Sequence, residues 1–243
     1  MCRMSALVDA AEKHRNAAYK VNVTGAELMA RWCDRYGIPL IHISTDYVYG
    51  AGDGIPLKED HPADPLNWYG RTKWEGEKRI RKYLKSHIIL RTSWLYAHHG
   101  HNFVRTMLRL GKERENIRVV DDQRGSPTYA ADLAEAVDFI LRRYLSEGEF
   151  HAGTYNFCNR GETTWFGLAR KVLEATGQSD KVKPVPASEY PTEAVRPEYS
   201  VLDTEKFRET FDYSVPHWEE ALKRCLRRIE EKEAESGTGE NNF

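Results

Sequence analysis

The sequence predicts an α/β fold built on a parallel sheet. Short apolar, β-branched runs at residues 38–43 and 87–91 are too brief for helices, and stretches of helical periodicity flank each of them. The first run ends in two hydroxylic residues, Ser44 and Thr45, and the second runs into Thr92 and Ser93. Polar side chains at the carboxyl ends of parallel strands are where such folds hold ligands.

Composition narrows the class. The chain has 243 residues, 40% of them hydrophobic, and a net charge of -1, which gives a folded protein of one large or two small domains. Lys and Arg are scattered among Asp and Glu, so a phosphate-tracking surface for nucleic acid has no support. Cys2, Cys33, Cys158 and Cys225 lack Cys-x-x-Cys spacing, which argues for reduced thiols over a zinc ribbon or a dithiol. No apolar run reaches transmembrane length and no signal-peptide core opens the chain, so the expected location is cytoplasmic, with no membrane partner.

In chain order, helical patterning begins near Glu12, with Ala17, Ala18, Val21, Leu28, Met29 and Trp32 as expected inward positions and Gly37 as the closing residue. Asn22 reads either as a helix-packing amide or as the holder of a relay water. After the strand at residues 38–43, a loop with Pro56, Pro62 and Pro65 leads to a helix over residues 68–86. The strand at 87–91 follows. His98, His99 and His101 are interrupted by Gly100 and have no spaced acidic ligand, so they read as a loop and not a metal site.

Residues 102–110 are helical and 117–121 extended. A turn at 125–128 precedes a helix over 130–144, with Asp132 as an early-turn acid. A strand at 154–157, a helix at 164–176 closed by Gly177, a strand at 182–185, an irregular stretch at 193–202 and a last amphipathic helix at 218–232 complete the pattern. Beyond residue 233 the polar, Gly-containing composition predicts a disordered tail.

The chemistry concentrates at Tyr69 and Lys73. Four apart at the start of a helix, they share a face. A phenol has an ordinary pKa near 10, and a cation held beside it favours the phenolate and lowers that value, making Tyr69 a usable general acid. Thr45, at the strand end, is placed to bond the same substrate oxygen. This is a carbonyl-reduction pattern.

Ser44-Thr45-Asp46-Tyr47-Val48, Tyr69-Gly70-Arg71-Thr72-Lys73, Arg91-Thr92-Ser93-Trp94, Gly125-Ser126-Pro127-Thr128 and Arg196-Pro197 together resemble the dTDP-4-dehydrorhamnose reductases of the extended short-chain dehydrogenase/reductase superfamily. The resemblance runs from about residue 7 to residue 228. It implies a partial Rossmann-like doubly wound parallel sheet over residues 1–96 and 130–160, with a smaller α/β substrate domain over 97–129 and 161–232. It implies reduction of the 4-keto group of a dTDP-linked 6-deoxy sugar with NADPH (or NADH) as cofactor, in dTDP-L-rhamnose synthesis. Thr45, Tyr69 and Lys73 would be catalytic, and Tyr69, Lys73 and Thr92 would contact the cofactor. Thr45, Asp46, Trp94, Asn102 and Arg196 would line the sugar-nucleotide site, with no metal among the ligands.

One departure stands out. The family's Gly-x-x-Gly-x-x-Gly loop, which cradles the cofactor pyrophosphate at a helix N-terminus, has no counterpart here, and residues 3–6 replace a small-residue loop expected against the cofactor. The expectation is therefore a chain lacking the N-terminal dinucleotide-binding segment, whose activity and cofactor binding on its own the sequence leaves open. Its strand at 38–43 would be a bare edge, to be met by a homodimer or a completing chain. Two other readings compete. One is a non-catalytic regulatory protein similar to the methionine adenosyltransferase beta subunit. The other is an epimerase or dehydratase, which the Asp46-Tyr47 pair disfavours because dehydratases of this group carry Asp-Glu there.

Overall fold

The computed structural model describes residues 8–238. Cys2 and residues 3–6 lie outside the described residues. The chain clusters into two units, one holding residues up to Ser93 with Glu135–Phe157 and Pro191–Ser214, the other holding Trp94–Ala134, Cys158–Tyr190 and the residues from Val215.

The first unit opens with α1 (Val8–Lys13), α2 (Arg15–Tyr19), a π-helical turn at Lys20–Gly25 and α3 (Ala26–Tyr36). The single helix expected from residue 12 is thus broken, and its buried face is not the expected one. Leu28, Met29 and Trp32 are more than half exposed, and Ala17 and Val21 are exposed as well. Of the expected positions Ala18 is buried, and Val23, Ala26, Ala30 and Cys33 take the place of the others. The reason is a close approach to the helix α4 (Trp68–Tyr83): a Cβ on Gly76 would sit 2.2 Å from the Asn22 carbonyl oxygen, so only small residues fit the crossing. Gly37 closes α3 at φ +64°, as expected.

Three strands make the parallel sheet: β1 (Leu40–Thr45), β2 (His87–Thr92) and, further along, the strand Gly153–Asn156. Thr45 lies opposite Thr92, and Arg91 opposite Asn156. β2 is central, with Ile88, Ile89 and Leu90 fully buried. Among the described residues β1 pairs only with β2, and its Ile43 is 37% exposed.

From Leu95 the second unit supplies β3 (Leu95–Tyr96), α5 (Phe103–Glu113), β4 (Ile117–Val120), β5 (Arg124–Gly125), β6 (Thr128–Tyr129) and the start of α6 (Ala130–Glu147). After the sheet strand, now β7, come β8 (Thr163–Thr164), α7 (Trp165–Glu174), β9 (Val182–Val185), α8 (Glu205–Phe211) and α9 (Trp218–Thr238). The second unit's core gathers Val104 and Met107 of α5, Leu168 and Val172 of α7, and Leu222 and Cys225 of α9, beside the parallel pair β4–β9. Asp132 is more than an early-turn acid: it takes both guanidinium nitrogens of Arg224 at 2.7 Å and the Asn159 amide at 2.6 Å.

Besides shifts of three to five residues at the other boundaries, two segments differ from the sequence reading. Pro191–Ser214 clusters with the first unit, because Leu57 donates to the Val201 carbonyl and accepts from Asp203, and Phe207 and Phe211 of α8 pack on Tyr155. The tail expected from residue 233 is helical through Thr238, since α9 continues without a break. No helix among the described residues is long and apolar enough to cross a membrane.

Candidate active site

The site grows from two local structures in the first unit. β1 ends at Thr45, whose Oγ1 caps the 3-10 turn Asp46–Val48 by accepting from the Tyr47 amide at 3.2 Å. α4 starts at Asn67, whose Oδ1 accepts from the Gly70 amide at 2.8 Å, while Glu12 Oε1 accepts from the Trp68 amide at 2.6 Å. Gly70 lets this first turn meet the 46–48 turn: a Cβ there would lie 2.0 Å from the Tyr47 carbonyl oxygen. The close approach brings Tyr69 to the end of β1.

Thr45 Oγ1 donates to Asp46 Oδ1 at 3.0 Å, and the Tyr69 phenol lies close to this pair. Burial, then the Asp46 charge, push the Tyr69 phenol up to about 12, and the Thr45 bond only partly opposes them. The expected lowering by Lys73 is therefore absent from this arrangement. The Lys73 ammonium is turned onto β1 instead, donating to the Ile43 carbonyl at 2.7 Å and lying 3.3 Å from His42 Nε2. Burial brings Lys73 down to about 8 and His42 to about 3, so the imidazole is neutral and its Nε2 can accept from the ammonium.

One turn further along α4, Glu77 is fully buried and locked to β1 and β2. It accepts from Ser44 Oγ at 2.5 Å, from Arg91 at 2.7 and 3.0 Å, and from Arg81 at 2.6 Å. Burial alone would raise the Glu77 carboxyl, but the bonds and charge of Arg91 take it below its ordinary value. Tyr69, Lys73 and Glu77 thus form one stripe, pinned at its far end by an ion pair in which Arg91 is 2% exposed.

Asp46 is 4% exposed, and burial raises its carboxyl to about 7 against bonds from Ser200 and Thr45. Arg196 pairs with Asp9 through both nitrogens, at 2.6 and 3.2 Å, and also bonds Tyr47, whose ring meets Tyr69 edge-on. Sequence reasoning missed Tyr47, although it stands inside the quoted strand-end motif. It also missed Asp9 and Ser200, which carry no local signal, and His42, which hides in an apolar strand.

Thr92 lies across from Thr45 on β2. Trp94 and Asn102 belong to the second unit. Trp94 sits at φ +46° and stacks on Trp165 at 3.7 Å, with Gly125 leaving room for its ring. Asn102 caps α5, accepting from the Arg105 amide and donating to the Ala97 and His99 carbonyls. Asn22 donates to Thr72 Oγ1 at 2.9 Å, the packing arrangement. Among the described residues no group of three or more His, Cys, Asp or Glu is arranged to hold a metal ion.

With this geometry in place, comparison with known proteins is informative. The profile of the RmlD substrate-binding domain matches residues 4–231. The chain belongs to the dTDP-4-dehydrorhamnose reductase family. It is 40% identical over 228 residues to the dTDP-4-dehydrorhamnose reductase of Escherichia coli K12, covering 91% of this chain and 76% of that one. Identity to the Salmonella typhimurium reductase is 42% over 226 residues, covering 90% and 75%. Among solved structures, the Bacillus anthracis reductase in complex with NADP superposes with a TM-score of 0.84 at 39% identity, covering 91% of this chain and 76% of that one. The Clostridium acetobutylicum reductase gives 0.87 at 34%, covering 94% and 79%. A dTDP-glucose 4,6-dehydratase at 20% identity shares the fold.

Proposed function

We propose that this chain reduces the 4-keto group of a dTDP-4-dehydro-6-deoxy sugar with NADPH, as in dTDP-L-rhamnose synthesis. The observation that carries this is the placement of Thr45 at the end of β1 against the first turn of α4, where Tyr69 and Lys73 lie one turn apart on the same face. The bound cofactor supplies hydride to the ketone carbon. Tyr69 gives its phenolic proton to the ketone oxygen, and Thr45 shares that oxygen. Thr92 lies beside Thr45 as a cofactor contact, and Asp46 and Arg196 are the substrate contacts of this unit.

The residues present fit the nicotinamide ribose. Lys73 spends two of its three N–H groups on Ile43 and His42, leaving one for a ribose hydroxyl. The test is a titration of the chain with NADPH, read by nicotinamide fluorescence and thermal stability, followed by turnover of the keto-sugar nucleotide. Saturable binding with turnover, lost in Tyr69→Phe, is the expected result. Binding without turnover, or turnover unchanged in Tyr69→Phe, overturns the assignment.

A further inference from the structure

β1 breaks its own pattern at one position. Leu40, Ile41 and Ile43 are apolar, and His42 stands among them, half-buried. A polar ring at such a position is costly unless it has a partner. His42 has one in α4: its Nε2 lies 3.3 Å from the Lys73 ammonium, which also donates to the Ile43 carbonyl at 2.7 Å. Two residues on, Ser44 donates to Glu77 at 2.5 Å, one turn further along α4. His42 and Ser44 share a face of β1 by the alternation of a strand, and each meets one charged residue of the α4 stripe.

The chemistry of the first contact is restrictive. An ammonium has three donors and no acceptor, so the contact needs a lone pair on Nε2 and places the ring proton on Nδ1. A protonated imidazole would set two cations 3.3 Å apart. Burial and the Lys73 charge both favour the neutral ring, and Glu77, the other charged group acting on it, opposes them. A bond to the Ile43 carbonyl alone would leave the ammonium free to turn about that bond. A second acceptor on the same strand removes this freedom.

We propose that His42 is a positioning residue for the cofactor: its Nε2 is the second point that fixes the Lys73 ammonium on β1, so that the third N–H is kept for a ribose hydroxyl. The inference rests on the reductase reading given above. It assigns a task to a side chain that the proposed reduction does not use, and the task is orientation, because the imidazole touches neither of the reacting atoms.

The test reads the pair first without any ligand, by nitrogen NMR of a histidine-labelled chain. At neutral pH the His42 Nε2 should resonate as an unprotonated nitrogen and Nδ1 as a protonated one. Lys73→Met, which keeps the length of the side chain, should shift the Nε2 resonance by removing its donor. The second readout is the Kd for NADPH. His42→Leu preserves apolar packing and should melt at the wild-type Tm, while its Kd rises roughly tenfold, the scale of one charge-assisted hydrogen bond. His42→Gln restores an acceptor and should recover most of that loss. A proton on Nε2, an Nε2 resonance indifferent to Lys73→Met, or a His42→Leu variant that binds NADPH as the wild type does overturns the proposal. A lower Tm in His42→Leu together with weak binding that His42→Gln does not recover also overturns it, leaving His42 as packing alone. If the wild type binds no NADPH, the reductase reading fails by itself, and the nitrogen resonances still decide whether His42 holds Lys73.

Discussion

Replacing Asp46 by Asn should change how stability depends on pH, by an amount that follows from its burial. The carboxyl sits at about 7 in the folded chain, against an ordinary value of 3.8. A carboxyl whose folded value is raised binds its proton more tightly when folded, so its stabilising contribution is present at low pH and lost as pH rises towards 7. Between pH 5 and pH 8 the wild type should lose about 2 to 3 kcal/mol that the amide variant keeps. The amide brings its own cost, because its NH2 takes the place of the unpartnered Oδ2 and leaves a buried donor unpaired at roughly 1–3 kcal/mol. That cost does not depend on pH. Thermal melts of both proteins at pH 5 and pH 8 should therefore show the difference in Tm moving in the variant's favour by roughly 5–10 °C at the higher pH. Parallel pH dependence in the two proteins would mean that Asp46 stays in one charge state throughout, and would refute the reasoning.

Other outcomes follow from the same geometry. Tyr69→Phe should lower turnover by roughly 10²- to 10⁴-fold, the usual contribution of a general acid, with unchanged circular dichroism. Gly70→Ala forces a Cβ to 2.0 Å from the Tyr47 carbonyl, so α4 must shift; turnover should drop and urea unfolding should show a loss of at least about 1–3 kcal/mol. Glu77→Ala leaves Arg91 as a buried unpaired charge and should cost about 3–5 kcal/mol, while Glu77→Leu combined with Arg91→Met should cost much less, a contrast read by denaturant titration. Arg196→Ala removes the paired bonds to Asp9 and should make the chain near Val195 more sensitive to limited proteolysis, since only the Ala194 amide bond to Asp9 and the Asn67 bond to the Val195 carbonyl then tie it down.

The parts of this architecture written in local sequence were legible. A run of five or six apolar residues ending in Ser-Thr, and a Tyr-Lys pair four apart behind an Asn cap, specify a strand and a helix by short-range rules. The buried face of α3 was not legible, because Leu28, Met29 and Trp32 look more buried than Ala26 and Ala30 by hydrophobicity alone. What decides is how closely α4 approaches, and that depends on Gly76, about fifty positions away. The same holds for the site. Thr45, Tyr69 and Lys73 lie in motifs, but the Asp9 carboxylate that holds Arg196 is 187 positions from it, and no periodicity connects them. The Lys73 effect on Tyr69 failed for a different reason: helical spacing places two side chains on one face, yet a backbone carbonyl on β1 competes for the ammonium.

The stacked pair Trp94 and Trp165 gives the second unit an optical signature. Two indoles held 3.7 Å apart with planes 9° from parallel couple their electronic transitions. The resulting exciton couplet in circular dichroism belongs to Trp94 in its left-handed backbone conformation. Any event that rotates that residue would erase the couplet while leaving the helical signal intact, so the chain carries an intrinsic gauge of this residue that needs no label.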